Sequence, residues 1–484
     1  MDKTVAFHNL GCKVNLYEME IMMKDLAENG FRIVAFDQKA DVYVINTCSV
    51  TNIADRKSRQ MIHRARALNP DALVVAAGCY GDTHGREETL AEQADVCILN
   101  KEKKDFADII LRELRGRGRE LGACEPRELR GRGTRQPEGR PRDDDPVSGE
   151  GKQEAQVSDP TVNPECPDES EGFADCRRQE AAASLKENLH TRKFLKVQDG
   201  CDRFCTYCII PYARDRISSR PVKDVCDEAK AYARMGYREI VPTGIHISSY
   251  GKDRPEEGED LLTLLKALSQ VEGVERVRLS SLEPMTVTED FARELSSLPG
   301  ICPHFHLSLQ SGCDEVLKRM NRRYTTDRFM ESVEILRRYF RDPAITTDII
   351  TGFPGETEQE FMQTVDFVKQ VGFYETHIFK YSRRKGTVAD RMPGQLPEKV
   401  KHQRSSVLME LCREGRRTFE DRHIASGEEA EVLLEDTEKR GKGVFRTGYT
   451  REYIKVYADP LSTKEGEILK GHMERNKSGD IIIS

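Results

Sequence analysis

The sequence lacks a long apolar run, an amino-terminal signal core and an excess of positive charge. A membrane-spanning helix needs about 18 or more consecutive apolar residues, and no stretch of the 484 residues approaches that length. The first four residues lead straight into a short strand-like segment, without the apolar core of a secretory signal. The formal net charge of −7 creates no overall basic field, so nucleic-acid binding cannot be argued from net charge. Tryptophan is also absent, which excludes nothing.

Cysteine, by contrast, is plentiful, with 14 residues. In a secreted protein this number would suggest disulfides, but nothing at the amino terminus supports secretion. We therefore expect a cytoplasmic protein without a membrane partner, in which the cysteines are metal ligands or free thiols.

Three of these cysteines, Cys201, Cys205 and Cys208, stand within eight residues and lack a local fourth. Iron–sulfur clusters are usually held by four thiolates, so a cubane held by three keeps one iron open to an added ligand. Structural zinc would require a fourth Cys or His nearby, and the only close candidate, Cys226, falls in a helix-like stretch. The spacing favours a 4Fe–4S cluster, with zinc or a plain group of buried thiols as the alternatives.

The chain is long enough for about three domains of about 150 residues each. Residues 1–115 alternate short apolar runs with longer mixed stretches, which predicts a parallel α/β sheet. The predicted strands are Val5–Phe7, Val42–Asn46 and Leu73–Ala77, and the predicted helices are Glu18–Asn29 and Asp55–Leu68.

Residues 116–186 are predicted to be a disordered insertion or linker. Gly- and Arg-rich repeats give way to an acidic stretch with Pro and Ser, and apolar periodicity disappears. Such a segment cannot bury enough surface to offset its ordering entropy. Its basic half could contact RNA, but the composition favours a solvated linker, and we expect no ligands among Cys124, Cys166 and Cys176.

Strand–helix alternation resumes over residues 187–421. Six predicted strands are fewer than the eight of a complete TIM barrel, so a partial (β/α)6 barrel fits. The strands are predicted at Phe194–Val197, Glu239–Val241, Val277–Ser280, His304–Leu309, Ile345–Ile350 and His377–Phe379. Residues 422–484 show short alternating strands separated by Gly and charged turns, which predicts a small β-barrel.

Cys12, Cys48 and Cys79 each follow a predicted strand of the amino-terminal domain. The carboxyl ends of parallel strands share one edge, where α/β proteins bind ligands, and the gaps between the three match one βαβ unit each. The three thiols are therefore expected to converge. The alternative is three ordinary buried cysteines, because Cys is among the most buried residue types; Cys97, inside an apolar run, is our example of that case.

The run Gly200–Pro211, which contains the first trio, resembles the signature of radical S-adenosylmethionine enzymes. The resemblance implies that the open iron chelates the amino and carboxylate groups of S-adenosylmethionine. Electron transfer from the cluster then cleaves this cofactor to a 5′-deoxyadenosyl radical, chemistry that proteins leave to cofactors.

Two three-cysteine sets on one chain resemble the methylthiotransferase branch of these enzymes, over residues 1–110 and 187–484. The resemblance implies two 4Fe–4S clusters: a radical cluster on Cys201, Cys205 and Cys208, and a sulfur-donating auxiliary cluster on Cys12, Cys48 and Cys79. It also implies a flavodoxin-like amino-terminal domain, a radical barrel and a carboxyl-terminal RNA-binding domain of the TRAM type.

Within that branch, Gly11–Glu18 and Asn46–Asp55 resemble the subgroup that acts on N6-threonylcarbamoyladenosine in tRNA. Gly81-Asp82 replaces a common Ala-Gln, and Arg383 and Val388 stand where proline is frequent. These departures put loop shape in doubt but remove no ligand.

The implied reaction converts N6-threonylcarbamoyladenosine next to the anticodon to its 2-methylthio derivative. One S-adenosylmethionine methylates sulfur at the auxiliary cluster, and a second yields the radical that abstracts hydrogen from the adenine ring, so no side chain is nominated as a general base. The implied partners are tRNA and an electron donor such as flavodoxin or ferredoxin. The alternatives are a sister methylthiotransferase for isopentenyladenosine or a ribosomal-protein aspartate, and a non-catalytic iron–sulfur RNA-binding sensor.

The resemblance also implies contacts to S-adenosylmethionine. Thr243 and Gly244 follow a strand and would meet its amino end, although a tight turn explains them equally well. Ser280 and Glu283 could bind the ribose or the carboxylate end. Gly352 lies in a loop that would pass near the adenine but also resembles a helix entrance. Tyr207 would cover the adenine or shield the cluster.

Two further groups have a functional and a structural interpretation. His304 and His306 share one face of a strand, where they could meet substrate or form a hydrogen-bonded core pair. Four cations of the carboxyl-terminal domain could contact phosphate or simply face solvent: Lys442, Arg446, Arg451 and Lys455.

Overall fold

The structure is a computed structural model that describes residues 3–84, 94–117, 191–440 and 443–484. The predicted insertion lies outside the described residues except for its first two positions, and so do its three cysteines and Lys442. In the described part of the chain, no helix is both long and apolar enough to cross a membrane.

The amino-terminal domain is a five-stranded parallel sheet with the order β2-β1-β3-β4-β5. Every residue of the central strands β3 and β4 is buried, as expected for a parallel sheet covered on both faces. The order is that of flavodoxin-like folds, which confirms the predicted fold. The strands are β1 Thr4–Asn9, β2 Arg32–Val34, β3 Val42–Thr47, β4 Leu73–Gly78 and β5 Val96–Ile98.

Among the described residues, four helices accompany this sheet: α1 Lys13–Glu28, α2 Asn52–Leu68, α3 Cys79–His84 and α4 Phe106–Arg117. A 3-10 turn, Asn100–Asp105, precedes α4. Helices α1 and α2 begin earlier than predicted. The Thr51 side chain caps α2 by accepting a hydrogen bond from the Ala54 amide, which satisfies one of the free amides of a helix start.

The central domain is an open barrel of six parallel strands, as predicted. Two sheets, β7-β6-β8-β9 and β10-β11-β12, are joined by parallel bridges from Val277 to Ile301 and from Leu282 to Leu307. The short β7 pairs antiparallel with the end of β6. The strands are β6 Lys193–Asp199, β7 Ser218–Ser219, β8 Glu239–Gly244, β9 Arg276–Val277, β10 His304–His306, β11 Ala344–Thr351 and β12 Glu375–Lys380.

Eight helices belong to this domain, and the longer ones cover the outside of the barrel. Along β6, Leu195 and Val197 pack in the core beneath the helices, as do Ile345 and Ile349 along β11. Side chains alternate between the two faces of a strand, so Lys196, Thr346 and Asp348 face the inside of the barrel, which we call the lumen. The helices are α5 Ile210–Ala213, α6 Val222–Arg234, α7 Leu261–Ser269, α8 Glu289–Ser296, α9 Asp314–Arg319, α10 Thr326–Tyr339, α11 Glu358–Val371 and α12 Glu398–Ala425.

The carboxyl-terminal domain is a closed five-stranded β-barrel with the order β13-β14-β15-β17-β16. Its first strand begins at Glu429, but helix α12 runs past residue 421, where the sequence suggested a boundary. The domain limits therefore stay a prediction. The strands are β13 Glu429–Arg440, β14 Gly443–Thr450, β15 Lys455–Ala458, β16 Ile468–Arg475 and β17 Ile481–Ile483.

This β-barrel closes the amino-terminal end of the central barrel. Arg276, fully buried at the start of β9, donates to the backbone carbonyls of Glu431 (2.6 Å) and Tyr449 (3.0 Å). The Tyr453 ring lies 5.0 Å from the ring of His304, at the start of β10. The carboxyl-terminal domain is thus part of the floor of the lumen.

The amino-terminal domain docks on the central barrel through buried charges. Helix α1 packs against β6 and β8, and the carboxylate of Glu18 lies 2.6 Å from Lys103, 2.7 Å from Lys196 and 2.8 Å from Arg214. Burial opposes the ionisation of Glu18, but these three cations together hold its pKa well below its usual range. The network fixes how the two domains face each other.

Candidate functional site

The loop that carries the first cysteine trio follows β6 and is anchored at both ends. Gly200 has φ +73°, and a side chain there would overlap the carbonyl oxygens of Asp215 and Arg216, so only glycine fits. Thr206 donates from its amide to the Met320 carbonyl (3.1 Å) and from its hydroxyl to the Arg319 carbonyl (2.9 Å). The loop is thereby fastened to the end of α9.

The three thiols of this loop influence each other electrostatically. Burial raises the pKa of Cys208 to about 12, with the neighbouring Cys205 and Cys201 adding to the rise. Burial also raises the pKa of Cys201. Arg322 Nη1 lies 3.3 Å from Cys205 Sγ. Thiolates gathered in a buried place need a cation, and coordination deprotonates a thiol outright, so this donor set fits an iron–sulfur cluster.

Cys226, the one nearby candidate for a fourth ligand, points elsewhere. It lies on α6 and packs in the core of the barrel among Val225, Ala229 and Leu264. Its helical, buried position matches the expectation from the sequence that it is not a ligand.

The second trio also comes together. Cys12 and Cys48 follow β1 and β3, the neighbouring strands at which the chain order reverses, and Cys79 follows β4. That switch point is where open α/β sheets form a ligand-binding crevice. Gly11 has φ +107°, and a Cβ on it would lie 2.8 Å from Cys48 Cβ. Burial raises the pKa of Cys48 to about 11, with contributions from Cys79 and Cys12, so the three thiols are neighbours, and as a donor set they fit a second cluster.

Cys97 lies apart from this trio, on β5, and explains one departure from the family pattern. A Cβ on Gly81 would lie 2.6 Å from Cys97 Sγ. Alanine, which is common at this position in the resembling sequences, would therefore collide with Cys97. Asp82, the next residue, accepts a hydrogen bond from the Asn100 amide (3.0 Å). Gly81 and Asp82 therefore fit the local packing around Cys97 and Asn100, and neither replaces a cluster ligand.

The cysteine edge of the amino-terminal domain is clamped onto the central barrel. Arg384, in the loop after β12, donates to Ser49 Oγ (2.7 Å) and pairs with Asp55. Ser49 directly follows Cys48, and Asn52 donates to the Arg383 carbonyl (3.0 Å). Arg383 stands where proline is frequent in the resembling sequences. The contact uses only the backbone carbonyl of this residue, which proline also has.

One side chain links the surroundings of both trios. The Asn100 amide nitrogen lies 3.6 Å from Cys79 Sγ and 3.3 Å from the carbonyl of Ala213, at the end of the short helix that follows Cys208. The two trios are therefore on facing parts of the two domains.

Among the predicted cofactor contacts, Glu283 and Ser280 lie near the radical loop. Glu283 pairs with Arg203 (2.8 Å) and lies 3.4 Å from His246 Nε2. Burial opposes its ionisation, but His246, Arg322 and Arg203 lower its pKa to about 2. The Ser280 hydroxyl is buried with no hydrogen-bond partner among the described residues. Such atoms require a polar ligand or water, which fits a bound cofactor.

The other residues predicted to contact S-adenosylmethionine have different surroundings in the structure. Thr243 is buried at the end of β8, and a Cβ on Gly244 would lie 2.7 Å from Gln198 Oε1. Tyr207 packs against the cluster of apolar residues that contains Phe353. Gly352 has φ +72°, donates to Glu356 Oε2 (2.8 Å) and packs on Lys401 of α12. For Gly352 the geometry favours the helix-entrance interpretation.

Four lumen residues that the sequence did not bring together form a polar wall. His306 Nδ1 lies 3.1 Å from Thr346 Oγ1, and its Nε2 lies 3.3 Å from Asp348 Oδ2. The ring of His377 stacks on that of His306 with centroids 5.9 Å apart. The Nδ1 of His304 is buried with no hydrogen-bond partner among the described residues. The alternation of inward and outward residues along β10, β11 and β12 is the signal that could have found this wall.

The predicted phosphate contacts are largely engaged within the protein. Arg451 donates to the Ile301 carbonyl (2.8 Å), Lys455 pairs with Glu438 (2.6 Å), and Arg446 donates to the Glu435 carbonyl (3.3 Å). Arg451 is thus an interdomain contact rather than a free surface cation.

Comparisons with known proteins agree with this geometry. The model of the radical SAM superfamily matches residues 195–368, and that of the uncharacterized protein family UPF0004 matches residues 4–100. The threonylcarbamoyladenosine tRNA methylthiotransferase MtaB of Bacillus subtilis is 36% identical, over 96% of this chain and 93% of its own. The protein of that name from Thermotoga maritima is 36% identical, over 94% and 91% of the two chains. The chain belongs to the radical S-adenosylmethionine methylthiotransferases.

The methylthiotransferases include relatives with another substrate in their names. A tRNA-2-methylthio-N(6)-dimethylallyladenosine synthase of Thermoanaerobacter is 31% identical, over 90% of this chain and 84% of its own. Among solved structures, the radical S-adenosylmethionine methyltransferase TsrM from Kitasatospora setae matches with a TM-score of 0.50 at 16% identity, over 78% of this chain and 73% of that one. That likeness concerns the fold alone.

Membership makes this chain a radical S-adenosylmethionine enzyme that uses a 4Fe–4S cluster and S-adenosylmethionine. The loop of Cys201, Cys205 and Cys208 offers three thiols and no local fourth, as a cluster with one open iron requires. The unpartnered hydroxyl of Ser280 stands three residues before Glu283, which pairs with Arg203 of this loop, and it fits a bound cofactor.

Proposed function

We propose that this enzyme converts N6-threonylcarbamoyladenosine, next to the anticodon of a tRNA, into its 2-methylthio derivative. The observation that supports this most is the facing arrangement of two three-cysteine sets, linked through Asn100. One set alone would suffice for cleavage of S-adenosylmethionine. A second set beside the same space supports transfer of sulfur as well.

In this proposal Cys201, Cys205 and Cys208 hold the radical cluster, and Cys12, Cys48 and Cys79 hold the auxiliary cluster. When bound, the two clusters and S-adenosylmethionine supply the radical, the sulfur and the methyl group. The cofactor contacts we propose are Tyr207, Thr243, Gly244, Ser280 and Glu283, with Gly352 shaping the adjoining loop.

The protein's own residues then position the substrate and keep the site closed. The Glu18–Arg214 and Arg384–Asp55 contacts hold the domains together around the lumen. A target base must enter this space, because its reacting carbon has to reach both cysteine edges. Enclosure protects a reactive intermediate from water and side reactions. An electron donor such as flavodoxin or ferredoxin is part of the proposal, as is a cytoplasmic location.

The choice of N6-threonylcarbamoyladenosine over isopentenyladenosine is supported by two observations. The relatives with 36% identity carry the first substrate in their names. The lumen is lined by ionic and polar side chains, among them Lys13, His304, His306 and Asp348. An isopentenyl group would gain little from such a wall, since burying polar groups against an apolar ligand leaves them unpaired.

The test uses the full-length protein, reconstituted anaerobically with iron and sulfide. It is incubated with S-adenosylmethionine, dithionite and anticodon stem-loops that carry either N6-threonylcarbamoyladenosine or isopentenyladenosine. Mass analysis of the nucleosides should show the 2-methylthio product from the first RNA only. A product from the second RNA alone would overturn the substrate assignment, and absence of 5′-deoxyadenosine would favour a non-catalytic sensor.

A further inference from the structure

Lys13 directly follows Cys12, and its side chain extends into the lumen. Its ammonium lies 5.9 Å from the centroid of the Phe194 ring, on the inner face of β6. The electrostatic neighbours of Lys13 include Arg278 beyond β9, Glu239 on β8 and Asp348 on β11, and Lys13 in turn acts on His304 of β10. Lys13 therefore lies among inward-facing residues of several strands.

Within the described part of the chain, the ammonium of Lys13 has no counter-ion within salt-bridge distance. Lys13 is exposed to the open space of the lumen and makes no hydrogen bond or salt bridge with any residue that the structure describes. The nearby carboxylates have other partners: Glu239 lies 2.7 Å from Arg278, and Asp348 lies 3.3 Å from His306.

The remaining neighbours of Lys13 are cationic or neutral. Its cationic neighbours, Arg192 and Arg278, act on it more strongly than the carboxylates of Glu239 and Asp348. Burial, Arg278 and Lys13 hold the pKa of His304 well below its usual range, so this imidazole is neutral. The electrostatic potential around the Lys13 ammonium thus favours the binding of an anionic ligand group.

We infer that Lys13 binds the carboxylate of the substrate's N6 side chain and so selects an acidic hypermodified adenosine. This inference rests on the proposed function and names the residue that reads the substrate. A threonylcarbamoyl group ends in a carboxylate beside a hydroxyl, whereas an isopentenyl group carries neither. Ammonium–carboxylate hydrogen bonds are among the stronger polar contacts in proteins.

A second orphaned group suits the same ligand. The buried Nδ1 of His304 lacks a partner among the described residues and belongs to the same lumen. A neutral imidazole nitrogen can donate to a carboxylate or accept from a hydroxyl, depending on the tautomer. A phosphate of the RNA backbone is a poorer fit for Lys13, because the phosphate would have to bring its ribose and chain into the barrel.

The experiment measures binding rather than turnover. Full-length reconstituted enzyme is titrated, without S-adenosylmethionine or reductant, against fluorescent anticodon stem-loops. The RNAs carry the threonylcarbamoyl group, the same group with its carboxylate replaced by a carboxamide, or isopentenyl. For the unsubstituted enzyme we expect the carboxylate RNA to bind at least about tenfold more tightly than the carboxamide RNA, the range of a hydrogen bond to a charged group.

Substitution of Lys13 should remove this preference. We expect Lys13→Gln and Lys13→Met to bring the affinity ratio to about twofold or less, and Lys13→Arg to retain most of it. Lys24→Gln, at an exposed lysine on the same helix, is the matched control and should keep the full ratio. The iron content of every variant is measured, and only variants with the full complement are compared.

Two outcomes would overturn the inference. One is a carboxylate preference that survives in both Lys13→Gln and Lys13→Met. The other is an equal loss of affinity for all three RNAs, which would assign Lys13 to a phosphate. A failure of the proposed function looks different: the unsubstituted enzyme then forms no 2-methylthio product from the carboxylate RNA, whatever its binding preference.

Discussion

Arg214 Nη1 lies 2.8 Å from Glu18 Oε1, and both side chains are buried between the amino-terminal domain and the central barrel. Arg214 stands six residues after Cys208, and Glu18 stands six residues after Cys12. Because each partner is a short distance along the chain from a proposed cluster ligand, this one ion pair ties the two cysteine sets together. The same guanidinium also donates to Asn15 and pairs with Asp199.

Removing Arg214 should therefore loosen the contact between the domains. Arg214→Met leaves the buried carboxylate of Glu18 and the partly buried carboxylate of Asp199 with fewer partners, and breaking a buried pair costs about 3 kcal/mol or more. Urea unfolding under anaerobic conditions measures this cost. Arg238→Met is the control, because its salt bridge to Glu275 is half exposed and should be worth less than about 1 kcal/mol. Equal effects of the two substitutions would contradict the proposed role.

Glu239 is predicted to stabilise the floor of the lumen without pH dependence near neutrality. Burial opposes its ionisation, but Arg278, Arg192 and Arg276 lower its pKa to about 2. A carboxyl with a lowered folded-state pKa contributes stability above its unfolded pKa of about 4.3 and loses it as the pH falls towards the folded value. The deficit of Glu239→Gln in urea unfolding should thus be constant from pH 8 to pH 6. A deficit that shrinks over this interval would contradict the assignment, and Glu275→Gln serves as an exposed control.

How much of this site the sequence could predict depends on how local each feature is. The convergence of Cys12, Cys48 and Cys79 follows from strand ends and parallel pairing, so a pattern within one domain was enough. The lumen position of Lys13 depends on how α1 docks against β6 and β8, and no local pattern reports that. Arg451 was interpreted as a surface cation because its partner, the Ile301 carbonyl, is 150 residues away.

The elements that the sequence missed have similar causes. Strands β2 and β5 are three residues long, too short for a period to emerge. Helix α12 has 28 residues, yet it buries Lys401, Arg404 and Ser405 beside few apolar side chains. Its buried charges are paired, for example Arg404 with Glu356 at 2.6 Å, so the helix carries no apolar stripe to recognise.

Reconstituted protein should contain about eight irons, as two 4Fe–4S clusters. Replacing Cys201, Cys205 and Cys208 together with Ala should halve the iron and abolish cleavage of S-adenosylmethionine. Iron analysis and the yield of 5′-deoxyadenosine measure the two effects. Cys226→Ala is the control, since this thiol lies in the core of the barrel. Full iron in the triple variant would show that the radical-cluster assignment is wrong.

Replacing Cys12, Cys48 and Cys79 with Ala should separate the two halves of the chemistry. Formation of 5′-deoxyadenosine should persist, because it requires only the open iron at the other set, whereas the 2-methylthio product should disappear. Cys97→Ala should retain both activities, since Cys97 lies apart from the trio on β5. If the Cys48→Ala protein still formed the 2-methylthio product, Cys48 would be a buried thiol and not a cluster ligand.

The carboxyl-terminal barrel is expected to contribute to RNA binding, but deleting it is a poor test. Tyr449, near the end of β14, and Arg451, just after that strand, supply backbone acceptors to the buried Arg276 and Arg278. Truncation from Ile424 would remove these acceptors and leave Arg276 and Arg278 to share the carboxylate of Glu239, and buried charges with too few partners are destabilising. The truncated protein should therefore lose stability in urea unfolding, whatever its affinity for RNA.

A double substitution of Arg446 and Lys455 with Gln avoids this problem, because neither side chain reaches the central barrel in the contacts described. Cations that neutralise phosphates give affinity that falls with salt, by a slope of about 0.7 to 0.9 per contact. We expect the double variant to bind tRNA more weakly. The slope of log affinity against log salt concentration should also be shallower, by about 0.7 to 0.9 for each phosphate contact that is lost. Filter binding across a series of salt concentrations measures both quantities. Arg413→Gln, on an exposed part of α12, should leave them unchanged. If the double variant matches the unsubstituted protein in affinity and in salt slope, these cations face solvent only, and the RNA contact must come from elsewhere in the chain.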